Sequence, residues 1–127
     1  AGWQYGMETR SMAKAPGHTD QDLEQLTTLF RLLSDKTRLN ILMLLAQGER
    51  NVTTLCQELG LPQPTVSHHL GLLRMNNIIG NRRNGKQVFY NLDGRVDTND
   101  GMGLTLKVEK YRIDIQASNH VAASMTV

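Results

Sequence analysis

Apolar side chains recur at helical spacing in two short, adjacent segments in the middle of the chain. In the first, about residues 52–59, Leu55 and Leu59 lie four residues apart on one helical face. Gly60 follows where a helix commonly ends in the left-handed conformation. The second segment begins near Gln63, and Pro64 suits the first turn of a helix, where an N–H group has no partner anyway. The pattern predicts two helices joined by a tight turn.

The second predicted helix has an apolar face and a polar face. The apolar face carries Val66, His69, Leu70 and Leu73. The polar residues of the N-terminal half are Gln63, Thr65, Ser67 and His68. In a helix-turn-helix the second helix lies in the major groove of DNA, where such residues contact base edges. We therefore predict base contacts for these polar residues, although any surface helix shows the same division into faces.

A basic hairpin is predicted directly after these helices. Asn84 and Gly85 stand between two runs of β-prone residues, and both residue types tolerate the positive φ of a hairpin turn. A basic hairpin after a helix-turn-helix is a wing, which contacts phosphates or a neighbouring minor groove. Phosphate contacts are predicted for Arg74, Arg82, Arg83 and Lys86. The fold predicted is mainly α with a small β-wing, a winged helix-turn-helix.

The positive charge is concentrated in this region. The chain of 127 residues is 39% apolar, which suits one domain with a modest core, and its formal net charge of +2 says little by itself. Between Gln63 and Arg95 there are five basic residues and one acid, whereas between His18 and Gly60 there are six acids and four basic residues. This distribution is the one that attraction to phosphate requires.

Other classes of protein find little support in the sequence. Cys56 is the single cysteine, so no intramolecular disulfide can form and a reducing compartment, the cytoplasm, is expected. We expect no membrane association, because no apolar run approaches the roughly 18 residues that span a bilayer, and no signal-peptide pattern begins the chain. No catalytic constellation or Gly-rich phosphate loop is recognisable, so neither an enzyme nor a cofactor is predicted.

Two further helices are predicted before the helix-turn-helix. Residues 1–18 show no periodicity and are expected to form a flexible arm, part of which is a candidate cloning remnant because the chain does not begin with Met. Thr19 is the predicted N-cap of a helix that runs to about Leu33. Its wide apolar face, which indicates deep burial or a dimer interface, carries Leu23, Leu26, Leu29, Phe30, Leu32 and Leu33. The next helix, capped by Ser34 or Asp35, is apolar nearly all round and is the predicted core helix.

The end of the chain, residues 94–127, is predicted to be a loop, then strands, then a frayed terminus. Residues 94–103 have a loop composition. Alternating apolar residues then follow at Leu104, Leu106, Val108, Tyr111, Ile113 and Ile115. The break at Glu109 and Lys110 indicates a bulge or a change of face. One or two strands are therefore expected.

The segment 29–93 resembles the ArsR/SmtB family of bacterial winged-helix transcriptional regulators. The resemblance is carried by LSDKTRLNIL (33–42), TVSHHLGLLR (65–74) and GKQVFYNL (85–92), which occur in the family's order and spacing. It implies a homodimer that binds double-stranded DNA at an operator with two-fold symmetry, usually as a repressor. With residues 19–93 as the DNA-binding domain, the predicted function is a sequence-specific regulator of transcription.

The sequence departs from the family at its usual metal sites. Where relatives carry two cysteines at the start of the first helix of the helix-turn-helix, this chain has Asn51 and Thr53, which cannot supply soft ligands. Where relatives have a C-terminal helix with Asp and His ligands, this chain has the predicted strands. We expect no metal site of these kinds, and the effector, small molecule or metal, is left undetermined. Without that helix, the dimer would rely more on the first helix, or the strands would extend the wing sheet or pair across the dimer.

Two other functions stay open at this stage. A protein-binding winged helix is one, because Pro62 stands where the family usually has a Ser that caps the recognition helix. A repressor that senses redox state through Cys56 is the other, although a buried core cysteine is favoured there. A metal site that joins His18 with Asp20 or Asp22 is a weaker alternative.

Overall fold

Helices make up the first part of the chain and two small antiparallel sheets complete it. The computed structural model describes residues 15–94, 96–98 and 103–117. The helices are α1 (Asp20–Leu33), α2 (Lys36–Ala46), α3 (Val52–Leu59) and α4 (Gln63–Met75). The strands are β1 (Arg50–Asn51), β2 (Ile79–Asn84), β3 (Gln87–Leu92), β4 (Val96–Thr98), β5 (Gly103–Val108) and β6 (Tyr111–Gln116). The predicted winged helix with strands after the wing is confirmed.

The wing is the sheet β1-β3-β2, and its hairpin turn lies one residue later than predicted. Asn84 pairs with Gln87, so Asn84 ends strand β2 and the turn consists of Gly85 and Lys86. Gly85 has a φ of +64°, whereas Lys86 does not have a positive φ. This combination is typical of a type II′ turn, which needs glycine only at its first central position. The prediction that Asn84 is one of the two turn residues is wrong.

The C-terminal sheet is β4-β5-β6, and it corrects the sequence prediction in two ways. Strand β4 lies within the stretch predicted as a loop. Glu109 and Lys110 form the two-residue turn of a β5–β6 hairpin, with Val108 paired to Tyr111, and not a bulge within one strand. Glu109 has a φ of +53°, a conformation that few non-glycine residues adopt. The residue types Glu and Lys therefore did not predict a turn at this position. The described strands form a sheet separate from the wing, which excludes the extension of the wing sheet.

The core lies between the helices and one face of the C-terminal sheet. Its fully buried side chains are Ile41, Leu42, Leu55, Val66, Leu70, Leu73, Ile79, Leu104 and Leu106. Helix α2 is the central helix as predicted, with Ile41 and Leu42 each 0% exposed. Helix α1, in contrast, buries only Leu29, Leu32 and Leu33, and its Phe30 stays 52% exposed. The wide apolar face of α1 is therefore only partly covered by its own chain.

The beginning of α1 is tied to the β5–β6 turn. Thr19 caps the helix as predicted, and a capping box joins its side chain and backbone to Asp22. Lys110 forms an ion pair with Asp22 at 2.7 Å and donates a hydrogen bond to the Gly17 carbonyl. His18 stacks on Tyr111 with a centroid separation of 5.6 Å. Gly17 and His18 of the predicted arm thus contact the C-terminal hairpin, and residues 1–14 lie outside the described part of the chain.

The contact between Asp22 and Lys110 predicts an unusual titration. The hydrogen bond from Lys110, followed by that from the Thr19 backbone, lowers the pKa of Asp22 from 3.8 to about 2. Because the folded-state pKa is lowered, this carboxylate stabilises the fold above pH 4, and the stabilisation is lost as the pH falls toward 2. In a Lys110→Gln variant the pKa of Asp22 should rise toward its ordinary value, as measured by an NMR titration of the carboxyl carbon. Lys107→Gln, on the same hairpin, should leave it unchanged; equal effects of both variants would contradict the assignment.

Candidate nucleic-acid interface

Helix α4 presents its predicted polar residues to solvent. Val66, Leu70 and Leu73 are at most 1% exposed and attach the helix to the core. Gln63, Thr65, Ser67 and His68 are all exposed. The amphipathic pattern thus predicts the placement of all four, because burial of the apolar face leaves the other face free. The N-terminal half of α4 is an open polar surface of the kind that contacts base edges.

The turn before α4 is short and leaves the start of the helix open. Helix α3 ends at Gly60, which adopts the left-handed conformation with a φ of +65°. Pro62 is the N-cap of α4, and its side chain has no acceptor for a hydrogen bond from the first turn. The Pro62 carbonyl accepts hydrogen bonds from the N–H groups of Thr65 and Val66. The positive end of the helix dipole therefore faces solvent without a side-chain cap, which favours a nearby anion.

His69 anchors α4 to the junction between α1 and α2. It is partly buried, as predicted, and its Nδ1 atom lies 3.3 Å from Nη1 of Arg38 and 4.0 Å from the Asp35 carboxylate. Arg38 also donates from Nε to the Leu32 carbonyl at 2.5 Å. The backbone N–H of Arg38 is the main cause that lowers the pKa of Asp35. His69 therefore has a packing role, and its neighbour His68 is the histidine that faces solvent.

In the wing, Arg82 is held by a carboxylate. Its Nη2 atom lies 2.8 Å from Oε1 of Glu49, and its Nε atom lies 2.9 Å and 3.0 Å from the two Glu49 oxygens. Asn91 donates a hydrogen bond of 2.8 Å to the same carboxylate. The hydrogen bond from Arg82, followed by that from Asn91, lowers the pKa of Glu49, so this group is charged at neutral pH. Arg82 also lies 5.0 Å above the ring of Phe89.

The partnership of Glu49 with Arg82 is absent from the sequence prediction. The two residues are far apart in sequence, and no local motif joins them. They meet because β1 pairs with β3 through Arg50 and Tyr90, which places the end of the α2–β1 connection beside the wing. This two-residue strand carries no periodicity that a sequence pattern could reveal.

The other predicted phosphate contacts are free. Arg74, Arg83 and Lys86 are exposed, and within residues 15–94, 96–98 and 103–117 none of the three has an ion-pair partner. Arg83 and Arg82 are consecutive in β2 and therefore point to opposite faces of the hairpin. Lys86 lies in the turn itself. The tip and one face of the wing thus carry available positive charge.

The residues at the positions of the family's cysteine metal site have other roles in this chain. Asn51 is the N-cap of α3, and its Oδ1 atom accepts a hydrogen bond of 2.8 Å from the Thr54 N–H. Thr53 is exposed on the same helix. Cys56 is partly buried and packs against the core. Among the described residues, no three His, Cys, Asp or Glu side chains are grouped as metal ligands; His120 lies outside them.

The helix-turn-helix followed by a basic hairpin defines a winged-helix DNA-binding protein. The model of the family "Bacterial regulatory protein, arsR family" matches residues 35–79. The biofilm growth-associated repressor of Xylella fastidiosa is 41% identical to this chain over 81 residues, which cover 61% of this chain and 71% of that protein. The chain therefore belongs to the arsR family of bacterial helix-turn-helix regulators, a family of DNA-binding transcriptional regulators and not of enzymes.

Two other relatives extend the comparison. The HTH-type transcriptional regulator KmtR of Mycobacterium tuberculosis is 39% identical over 74 residues, 58% of this chain, and the chain spans 57% of the length of KmtR. The solved homodimeric winged helix-turn-helix DNA-binding domain of Mb0332 from Mycobacterium bovis superposes with a TM-score of 0.55. The two chains are 32% identical, and the matched region covers 63% of this chain and 77% of the Mb0332 chain. None of the described helices is long and apolar enough to cross a membrane.

Proposed function

We propose that this chain is a sequence-specific repressor of transcription that binds a palindromic operator as a homodimer. Each protomer inserts the N-terminal half of α4 into a major groove, and its wing contacts the flanking backbone. Residues 19–93 form the DNA-binding domain in this proposal. The bound dimer blocks or repositions the polymerase at a promoter, so occupancy of the operator alone accounts for regulation.

The observation that carries the proposal is the exposed polar face of α4. Four polar side chains that are free of the core stand in the part of the helix that meets base edges in this fold. Each good contact of this kind contributes about 1 to 3 kcal/mol of discrimination between bases. The free charges of Arg83 and Lys86 supply attraction that is independent of base sequence. Base contacts are thus assigned to the N-terminal half of α4, and phosphate contacts to the wing and to Arg74 in the last turn of α4.

Repression and dimerisation are supported by relatives. The relative in Xylella fastidiosa is named a repressor, and the Mb0332 domain was solved as a homodimer. Because Asn51 caps α3 and Thr53 offers no soft donor, we propose regulation that does not use the cysteine site of the family.

The Glu49 carboxylate should weaken DNA binding, because it occupies Arg82 and repels phosphate. A Glu49→Gln variant should bind duplex DNA about three- to tenfold more tightly at low salt. The slope of log K against log salt should become steeper by up to about the contribution of one phosphate contact. Fluorescence anisotropy over a range of salt concentrations measures both quantities. Glu58→Gln is the matched control, because it removes the same charge from a pair with Arg50 at 2.7 Å outside the wing hairpin. Equal gains in both variants would show that net charge alone is responsible.

The experiment that tests the proposed function is selection from a pool of random duplex DNA by the purified chain. It is run at two salt concentrations, with and without prior removal of metal by EDTA. We expect enrichment of one palindrome, strong weakening of binding by salt, and no effect of EDTA. No enrichment at either salt concentration would indicate a protein-binding winged helix instead, and a change caused by EDTA would contradict metal-independent regulation.

A further inference from the structure

Strand β6 presents an open edge at the side of the C-terminal sheet. The strand order is β4-β5-β6, so β6 has a strand neighbour on one side only within the described residues. Its six residues, Tyr111–Gln116, contain no proline or glycine that would prevent further pairing. An open strand edge pairs readily with another strand unless the protein blocks it.

The backbone groups available at this edge follow from the hairpin register. Val108 and Tyr111 flank a two-residue turn, in which the first carbonyl and the last N–H point toward each other. Backbone groups alternate along an antiparallel strand, so those of Tyr111, Ile113 and Ile115 face β5. The N–H and C=O groups of Arg112 and Asp114 therefore point away from the sheet, toward the open edge.

The charges on this edge complement themselves. Arg112 stands opposite Lys107 of β5, a pair of like charges, and its side chain is 68% exposed. Asp114 accepts a hydrogen bond of 2.7 Å from Thr105 and lies 3.3 Å from Arg112. One positive and one negative residue, two positions apart on the same face, can each meet its opposite when the same strand pairs with an antiparallel copy.

We propose that β6 pairs with β6 of a second copy of this chain, with the two-fold axis at Ile113. Arg112 then lies opposite the partner's Asp114, and Tyr111 opposite the partner's Ile115. The outward backbone groups of Arg112 meet those of the partner's Asp114, as antiparallel pairing requires. A shift of the two-fold axis by one residue would instead place Arg112 opposite the partner's Arg112, or Asp114 opposite the partner's Asp114.

Pairing in this register joins the two C-terminal sheets into one sheet of six strands. Ile113 and Ile115 are half-buried and pack against the edge of the core, so a second copy would cover what remains exposed. The inference rests on the homodimer of the proposed function and states how that dimer is built without a C-terminal helix. The charges of both signs at the edge favour a second copy over an unrelated strand.

Charge reversal tests this register. Arg112→Asp gives a chain with two negative edge residues, and Asp114→Arg gives a chain with two positive ones. Each variant alone should dimerise at least about tenfold more weakly, because two attractive cross-strand pairs become repulsive. An equimolar mixture of the two should form a heterodimer with nearly wild-type affinity, although neither chain has regained its own Arg112–Asp114 contact. Sedimentation equilibrium measures dimerisation of each single variant and of their mixture.

A control variant and the contrary outcomes separate the β6 interface from the proposed function. Asp97→Arg reverses an exposed charge on β4, at the other side of the sheet, and should leave the dimer unchanged. Dimers that persist in both single variants, and that dissociate in Phe30→Ser, would overturn the β6 interface in favour of α1. If those dimers still select a palindrome, the proposed function stands without this interface. If the mixed variants form heterodimers but the wild-type chain enriches no DNA site, the β6 interface is supported and the proposed function is rejected.

Cysteine trapping provides a second measurement. Residues opposite each other in a non-hydrogen-bonded antiparallel pair have Cα atoms about 4.5 Å apart, within the range of a disulfide. In a Cys56→Ser background, Ile113→Cys should therefore form a disulfide-linked dimer under mild oxidation. Gln116→Cys would lie about 20 Å from its copy in this register and should not. Crosslinking at both positions, or at neither, would contradict the proposed register.

Discussion

Replacing Arg83 and Lys86 together with alanine should weaken DNA binding at every sequence alike. Both side chains are exposed and lack an ion-pair partner among the described residues, so they can meet phosphate without breaking another contact. Loss of two phosphate contacts should reduce the slope of log K against log salt by about 1.8. The affinity at moderate salt should fall at least about tenfold, and the order of preferred sequences should stay the same.

The control for this double variant removes the same charge elsewhere. Arg31→Ala combined with Lys107→Ala deletes two basic residues of α1 and β5, outside α4 and the wing. It should change the salt slope much less. If instead the wing variant alters which sequence is preferred and leaves the slope intact, the wing contacts bases, and the division of roles between α4 and the wing is wrong.

The second large effect is expected on stability. Leu70 is 1% exposed and lies on the buried face of α4, the only element that carries the proposed base contacts. Leu70→Ala should lower the free energy of unfolding by about 2 to 5 kcal/mol, because it removes buried methyl groups and leaves a cavity. Denaturation with urea, followed by circular dichroism, measures the change. DNA affinity should fall with the fraction of folded protein.

Met75 provides a control in the same helix. Its side chain is 79% exposed, so Met75→Ala should change the free energy of unfolding by less than about 0.5 kcal/mol. A loss below about 1 kcal/mol for Leu70→Ala would contradict the buried placement of that face. If Leu70→Ala prevents folding altogether, the smaller change Leu70→Met keeps a similar volume and should cost less than about 1.5 kcal/mol.

Periodicity predicts the helix-turn-helix because one physical cause dominates there. Leu55 and Leu59 in α3, and Val66, Leu70 and Leu73 in α4, recur at helical spacing because those faces pack against the core, and the structure gives both helices the predicted bounds. Gly60 ends α3 in the left-handed conformation that its residue type favours. Exposure of the polar face of α4 follows from burial of the opposite face, so the placement of the predicted base contacts could be foreseen.

Features that depend on tertiary pairing could not be foreseen. The Glu49–Arg82 pair exists only because β1 joins the wing sheet, and a two-residue strand leaves no pattern. Glu109 occupies a turn position that favours glycine, so the sequence left open whether the segment forms one bulged strand or the two strands of the β5–β6 hairpin. In α1, sequence shows six apolar residues but not which of them face the core, and the structure leaves Phe30 outside.

The measurement that tests the central claim most directly is a comparison of preferred DNA sites between the wild-type chain and a Gln63→Ala/Ser67→Ala variant. Both are selected against the same random duplex pool at one salt concentration. We predict a palindrome for each, with the variant losing preference at one or two bases in each half-site while its salt slope is unchanged. An identical preferred site from both proteins would contradict the claim that the N-terminal half of α4 recognises the base sequence.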